Sequence, residues 1–153
     1  MTARDARQLT GLILAVLVMA ACKSNPPKPN NSKLALQVAA DANPDQNNRP
    51  SPVVVRVYQL KDSAKFTSAG YFELSDDAAK ALGPDLIKVE EHQLKPGENI
   101  TVGLAVAGDA KFVGVVAAFR NFRDAQWRVV VPAPLKKNAL IVVAKNRVDL
   151  SSR

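Results

Sequence analysis

The sequence predicts an all-β fold: a two-sheet β-sandwich of about seven to eight short strands, with a short added helical segment. Three observations point there. Short runs alternate apolar and polar side chains, most cleanly Ile100, Val102, Leu104 and Val106 in "ITVGLAV", the period of a half-buried strand. Proline, glycine and asparagine separate these runs at short intervals, as turns between strands require. Only one stretch, around residues 62–83, carries the start and stop signals of a helix.

The chain begins with a leader. Leu9 to Ala21 is apolar and follows Arg4 and Arg7, but the run falls short of the roughly 20 residues a membrane-spanning helix needs. Residues 1–21 therefore read as a secretory signal peptide. It ends in Met19-Ala20-Ala21-Cys22, which resembles a bacterial lipobox with Met19 where leucine is usual. That resemblance implies cleavage before Cys22 and attachment of a lipid to its thiol. Lys23 follows instead of the Asp that retains lipoproteins in the inner membrane, which implies transport to the outer membrane. Three acyl chains anchor firmly where one holds only marginally. Cys22 is the only cysteine, so no disulfide is available and stability must come from a core.

Residues 22–33, "CKSNPPKPNNSK", contain no large apolar side chain and three prolines. Such a segment cannot offset the entropy of ordering and reads as a tether, whose stretch from Lys23 to Lys33 spans roughly 18 Å as a coil and about 34 Å extended as polyproline II. Residues 34–153 are left for one domain of ordinary size.

Within the domain, Leu34, Leu36 and Val38 alternate, as do Val53, Val55 and Val57 in "PVVVRVYQL". In "DLIKVEEHQL" Ile87 and Val89 are in phase and Leu94 is not, so a bulge near Glu90-Glu91 is expected. "KFVGVVAAF" and "LIVVA" are apolar on both faces, as in strands covered on both sides, and "WRVVV" groups Trp127, Val129 and Val131. Lys95-Pro96-Gly97-Glu98 fits a type II turn, and Ala107-Gly108-Asp109-Ala110 a hairpin. In the helical stretch Ser75 is the expected N-cap, Asp76 and Asp77 favour the first turn, and Gly83 and Pro84 end the helix. Phe66, Tyr71 and Phe72 are expected to pack on the sandwich.

Little in the sequence is chemistry. The single His92 stands beside Glu90 and Glu91 without a nucleophile or ligand cluster, and reads as an exposed polar side chain. The acidic pairs Glu90-Glu91 and Asp76-Asp77 form no shared dyad, and Gly103, Gly108 and Gly114 read as turn and packing glycines, not a phosphate loop. The net charge of +7 is scattered, which suits acidic head groups or an acidic partner better than nucleic acid. Arg120, Arg123 and Arg128 around Phe122 and Trp127 read as a solvated strand end, with a protein contact as second use. The long connection Asp41 to Pro52, "DANPDQNNRPSP", exceeds any tight hairpin; stiffened by Pro44, Pro50 and Pro52, it reads equally as a partner-binding loop or a variable surface loop.

The lipobox at Cys22, "RPSPVVVRVYQLKD", "YFEL", "ALGPDLI", "LKPGE" and "VGVVAAFR" with Trp127-Arg128 occur in an order that resembles the outer-membrane lipoproteins of type VI secretion, the TssJ family. The resemblance implies a transthyretin-like sandwich, lipid-anchored in the outer membrane and facing the periplasm. It implies a non-catalytic role in the trans-envelope complex: binding the periplasmic C-terminal domain of the large inner-membrane component (TssM-type), with no cofactor beyond the lipid, no nucleic acid and no small-molecule substrate. In that family the loop between the first two strands contributes to the contact, which maps here onto Asp41, Ala42, Asn43, Pro44, Asp45, Gln46, Asn47, Asn48, Arg49, Pro50 and Ser51. The alternative from another class is a lipid-anchored periplasmic module for a small ligand or glycan, which the 5% aromatic content disfavours.

Overall fold

Period-two alternation buries one side of each long strand. Leu34, Leu36 and Val38 are buried in β1 (Asn30–Val38), Val53, Val55 and Val57 in β2 (Val53–Leu60), and Val102, Leu104 and Val106 in β4 (Asn99–Val106). The computed structural model describes residues 28–136 and 139–151. The leader, Cys22 and the tether as far as Pro27 lie outside the described residues. The remaining strands are β3 (Leu86–Leu94), β5 (Phe112–Ala117), β6 (Arg128–Pro132), β7 (Ala139–Val143) and β8 (Val148–Ser151). They form two four-stranded sheets, in the orders β4-β1-β7-β8 and β3-β2-β5-β6. Every pairing is antiparallel except that of β1 with β7.

One apolar cluster fills the space between the sheets. A second, of Tyr58, Leu60, Phe66, Leu74, Leu82 and Val116, lies between the outer face of the β2-containing sheet and the helical insertion. Two cores explain why β2 and β5 are apolar on both faces. The Tyr58 hydroxyl donates to the Leu74 carbonyl at 3.0 Å, and burial pushes its pKa up to about 12. The insertion docks closely at Gly114, where an added Cβ would lie 2.6 Å from Cζ of the fully buried Phe66 ring.

The insertion is three short helices, α1 (Ala64–Ser68), α2 (Tyr71–Asp76) and α3 (Ala78–Leu82), followed by a 3-10 turn at Gly83–Asp85. Asp77, not Ser75, caps α3, its carboxylate accepting from the Lys80 N–H at 3.0 Å. Ser75 and Asp76 instead finish α2, whose start is fixed by the Glu73 carboxylate accepting from the Gly70 N–H at 2.6 Å. The two-residue shift follows from Leu74, which is buried and held through its carbonyl by Tyr58. Gly83 closes α3 at φ 55°. Phe66 packs as expected, Tyr71 is half-buried, and Phe72 is 57% exposed, so only the first of the three aromatics lies fully under the insertion.

Backbone pairing, which needs no apolar side chain, sets two strand limits that apolar alternation does not mark. β1 starts at Asn30, inside the segment read as tether, because Asn30 to Lys33 pair with Val106 to Gly103. The short edge strand β8 completes its sheet through Val148, the one buried side chain it contributes. The β2–β3 ladder runs regularly past Glu90-Glu91, and its shift falls at Gln59/Leu60, where Ile87 is passed over. His92 and Glu90 consequently share the inward side with Leu94, and Val89 faces out, 42% exposed. Inward charge on an edge strand discourages pairing with other chains. The Ala107–Ala110 turn forms, with the Ala110 N–H on the Ala107 carbonyl at 3.0 Å, but it joins two sheets and is no hairpin. Gln59, buried, takes the place of a neighbouring strand there: its amide donates to the Ala105 carbonyl at 3.2 Å and accepts from the Ala107 N–H at 2.9 Å. At the opposite end the Lys95–Glu98 turn is type II as expected, with Gly97 at φ 81°.

Two strand glycines have opposite surroundings. Gly114→Ala forces Phe66 to move in a packed core and costs about 1–3 kcal/mol. Gly103→Ala meets nothing within 4 Å and stabilises by about 0.5–1 kcal/mol, because glycine weakens a strand interior. Denaturant midpoints separate the two, and equal midpoints would contradict the docking of the insertion.

Candidate partner-binding pole

Strand direction sorts the loops. β1 runs from the end where the chain enters the sandwich to the opposite end, about 26 Å away at 3.3 Å per residue. Four connections gather at that far pole: 39–52, 95–98, 118–127 and 144–147.

The structure divides the eleven residues 41–51. Ala42, Asn43 and Ser51 are buried, Pro44 and Asp45 half-buried, and Asp41 and Gln46 to Pro50 exposed. Asn43 works as a latch. Its Nδ2 donates to the Pro52 carbonyl at 2.6 Å, its Oδ1 accepts from the Arg120 N–H at 2.7 Å, and its own N–H donates to the Lys145 carbonyl at 3.0 Å. The backbone there has φ 50°, a left-handed conformation that asparagine tolerates better than most residues. Beyond the latch Asp45 shapes the tip. Its carboxylate accepts from the N–H groups of Asn47 and Arg49 at 2.8 and 2.9 Å and from the Arg49 guanidinium at 2.8 Å. Those bonds, that from the Arg49 N–H foremost, hold the Asp45 carboxyl below the ordinary carboxylate value, so it is an anion at neutral pH.

Between this loop, Phe119 to Asn121 and Lys145-Asn146 lies an open cleft of about 770 Å³. Its exposed walls are amides, carbonyls and the Arg49, Arg120 and Lys145 cations, with Phe119 buried at its floor. Such a surface can hydrogen-bond an extended or looped polypeptide.

The basic cluster is less uniform than its sequence. Arg120 and Arg123 are exposed, Arg123 lying 5.9 Å from the Phe122 ring centroid. Arg128 is half-buried: it donates to the Phe66 and Ala69 carbonyls at 3.0 and 2.6 Å and lies 4.6 Å over Trp127. Burial pulls its pKa below the usual arginine value. What holds Arg128 in this position is the carbonyl end of α1, whose orphaned acceptors require donors. Tyr71 stacks on Phe122 at 4.5 Å and meets Trp127 edge-on at 5.3 Å, sealing the insertion against the 118–127 loop. His92 is half-buried on β3, its Nε2 without a hydrogen-bond partner and 4.0 Å from Glu90. Its inward position at a sheet edge, invisible in local sequence, is why it is not the exposed side chain expected. Among the described residues no group of three His, Cys, Asp or Glu side chains could hold a metal, and no helix is long and apolar enough to cross a membrane.

The family model for type VI secretion lipoproteins (VasD, EvfM, TssJ) matches residues 30–151. The chain belongs to this family. Its solved relatives agree with the lipoprotein in fold throughout the domain. It is 30% identical to the type VI lipoprotein TssJ1 of Pseudomonas aeruginosa, the alignment covering 82% of this chain and 97% of that one with a TM-score of 0.76. A chain of a type VI membrane complex is 32% identical over 82% and 99%, TM-score 0.74. A chain in the structure described as the TssM C-terminal domain (869-1107) from EAEC is 30% identical over 80% and 98%, TM-score 0.70. Among curated proteins none matches. The lipoprotein is thus a structural component by family, with a mainly β sandwich.

The latch makes a measurable distinction within one loop. Asn43→Ala leaves the Pro52 carbonyl and Arg120 N–H without their partner and costs about 1–3 kcal/mol, whereas Gln46→Ala at the exposed tip changes stability by less than about 0.5 kcal/mol. Denaturant unfolding of both variants checks this; equal losses would show that Asn43 does not hold the pole.

Proposed function

We propose that this lipoprotein is a non-catalytic tether of the type VI secretion membrane complex. It is anchored in the outer membrane by lipid on Cys22 and faces the periplasm. It binds the periplasmic C-terminal domain of the large inner-membrane component through the far pole, with exposed residues of the 41–51 loop in the contact. The observation that carries this reading is the direction of β1: the anchored end and the long loop lie at opposite poles, so a membrane-held domain points the loop away from its membrane. Support also comes from the relative in the structure named for the TssM C-terminal domain. Being 98% covered by 80% of this chain, that relative has the length of a lipoprotein domain, about half of what residues 869–1107 span. A ligand or glycan module fits less well, because the cleft is open and lacks converging aromatic rings.

The loop tip is held in place before binding, so little ordering cost remains at the interface. Replacing Gln46 to Asn48 by Gly-Ser-Gly, with Asn43 and Asp45 kept, removes exposed side chains without touching the latch. Calorimetric titration with the partner's periplasmic C-terminal fragment is expected to show at least tenfold weaker binding, a loss of about 1.4 kcal/mol, with an unchanged thermal melt. An unchanged dissociation constant would remove the tip from the contact.

A further inference from the structure

We infer that the pole at which the chain enters the sandwich rests on an anionic phospholipid surface, an inference that depends on the anchoring proposed above. β1 begins there with Asn30 opposite Val106, beside the 107–110 turn. Exposed lysines gather around it: Lys28, Lys61, Lys65, Lys111 and Lys136. The backbone draws them together, the Lys111 N–H donating to the Leu60 carbonyl at 2.9 Å and the Ala133 N–H to the Lys111 carbonyl at 2.8 Å. Opposing them are Asp62, Asp85 and Asp109. Lys61 pairs with Asp109 at 3.2 Å and Lys65 with Asp85 at 3.0 Å, and the Asp62 carboxylate accepts from the Ala64 N–H at the start of α1. Lys28, Lys111 and Lys136 have no carboxylate within 4 Å among the described residues, and the pole keeps a positive excess.

The kind of cation matters as well as the sign. Arg49, Arg120, Arg123 and Arg147 lie on far-pole loops, and Arg128 opens β6 at that same end. Among the described residues, the cations gathered at the entering pole are lysines. Arginine's planar fork suits fixed carboxylates and carbonyls of a protein partner, while lysine is a hydrated point charge on a flexible stem, suited to a diffuse layer of phosphates. Such attraction fades within a Debye length, about 8 Å at physiological salt. The eight residues from Cys22 to Asn30 reach at most about 28 Å, which keeps this pole beside the surface that holds the lipid.

The test uses the mature acylated lipoprotein in vesicles of phosphatidylcholine alone or mixed equally with phosphatidylglycerol. With Cys22 acylated, a dye attaches only to a new thiol, introduced by Gly108→Cys at the entering pole or Asn47→Cys at the far one, and a nitroxide on the lipid head group quenches it. Quenching at position 108 is expected to be several-fold stronger with phosphatidylglycerol. High salt or the triple variant Lys28→Glu, Lys111→Glu, Lys136→Glu removes that gain, the corresponding Gln variant shows part of it, and position 47 stays unquenched. Equal quenching in both vesicles, or quenching that survives the triple variant, overturns the inference. Floating vesicles with no quenching at position 108 overturn it too and turn the search to an acidic protein. Failure of the protein to float with the vesicles overturns the anchor together with the inference.

Discussion

Three connections of the far pole meet at Asn43, two through its side chain and one through its backbone N–H. Its amide holds the Pro52 carbonyl on one side and the Arg120 N–H on the other, while its own N–H reaches the Lys145 carbonyl. A buried polar group left unpaired is costly, so the three loops occupy one arrangement or lose these bonds together. Their coupling sets what the pole can do. Gln46, Asn47, Asn48 and Arg49 project from a base tied into the sandwich at both ends, with Asp45 setting the turn, so under the proposed function a partner would meet groups already held in place.

The opposite face of the problem is the second core. A sandwich needs only its inter-sheet core, yet β2 and β5 carry Tyr58, Leu60 and Val116 outward, and the insertion covers them. The covering is held by polar contacts at its margins, Tyr58 on the Leu74 carbonyl and Arg128 on the carbonyl end of α1. Because Tyr71 stacks on Phe122, the insertion also braces the 118–127 loop that forms one wall of the cleft. Packing on one face of a sheet thus stiffens the pole at its end.

Some of this was legible from residues alone. Val102, Leu104 and Val106 announce their strand because burial and alternation coincide, and Pro96-Gly97 announces its turn because the backbone angles are written into those residue types. Long unbroken length and three prolines marked the 41–52 connection before any geometry. The latch was not legible: Asn43 sits among other asparagines, and its partner N–H lies 77 residues away. Nor were the strand parts at Asn30 to Lys33 and Val148 to Ser151, which are held mainly by backbone pairing. Asp77 displaced Ser75 as a cap for a tertiary reason, the burial of Leu74, and the register of β3 was set at Ile87 by the strand beside it.

Under the proposed function, the pole facing away from the anchored end meets the secretion complex. Site-specific photo-crosslinking in intact cells tests it most directly, with a photoreactive residue replacing Gln46 at the loop tip or Thr101 on the exposed outer face of β4. A crosslink from position 46 to the large inner-membrane component is expected, and none from position 101. A crosslink to that component from position 101 alone would contradict it.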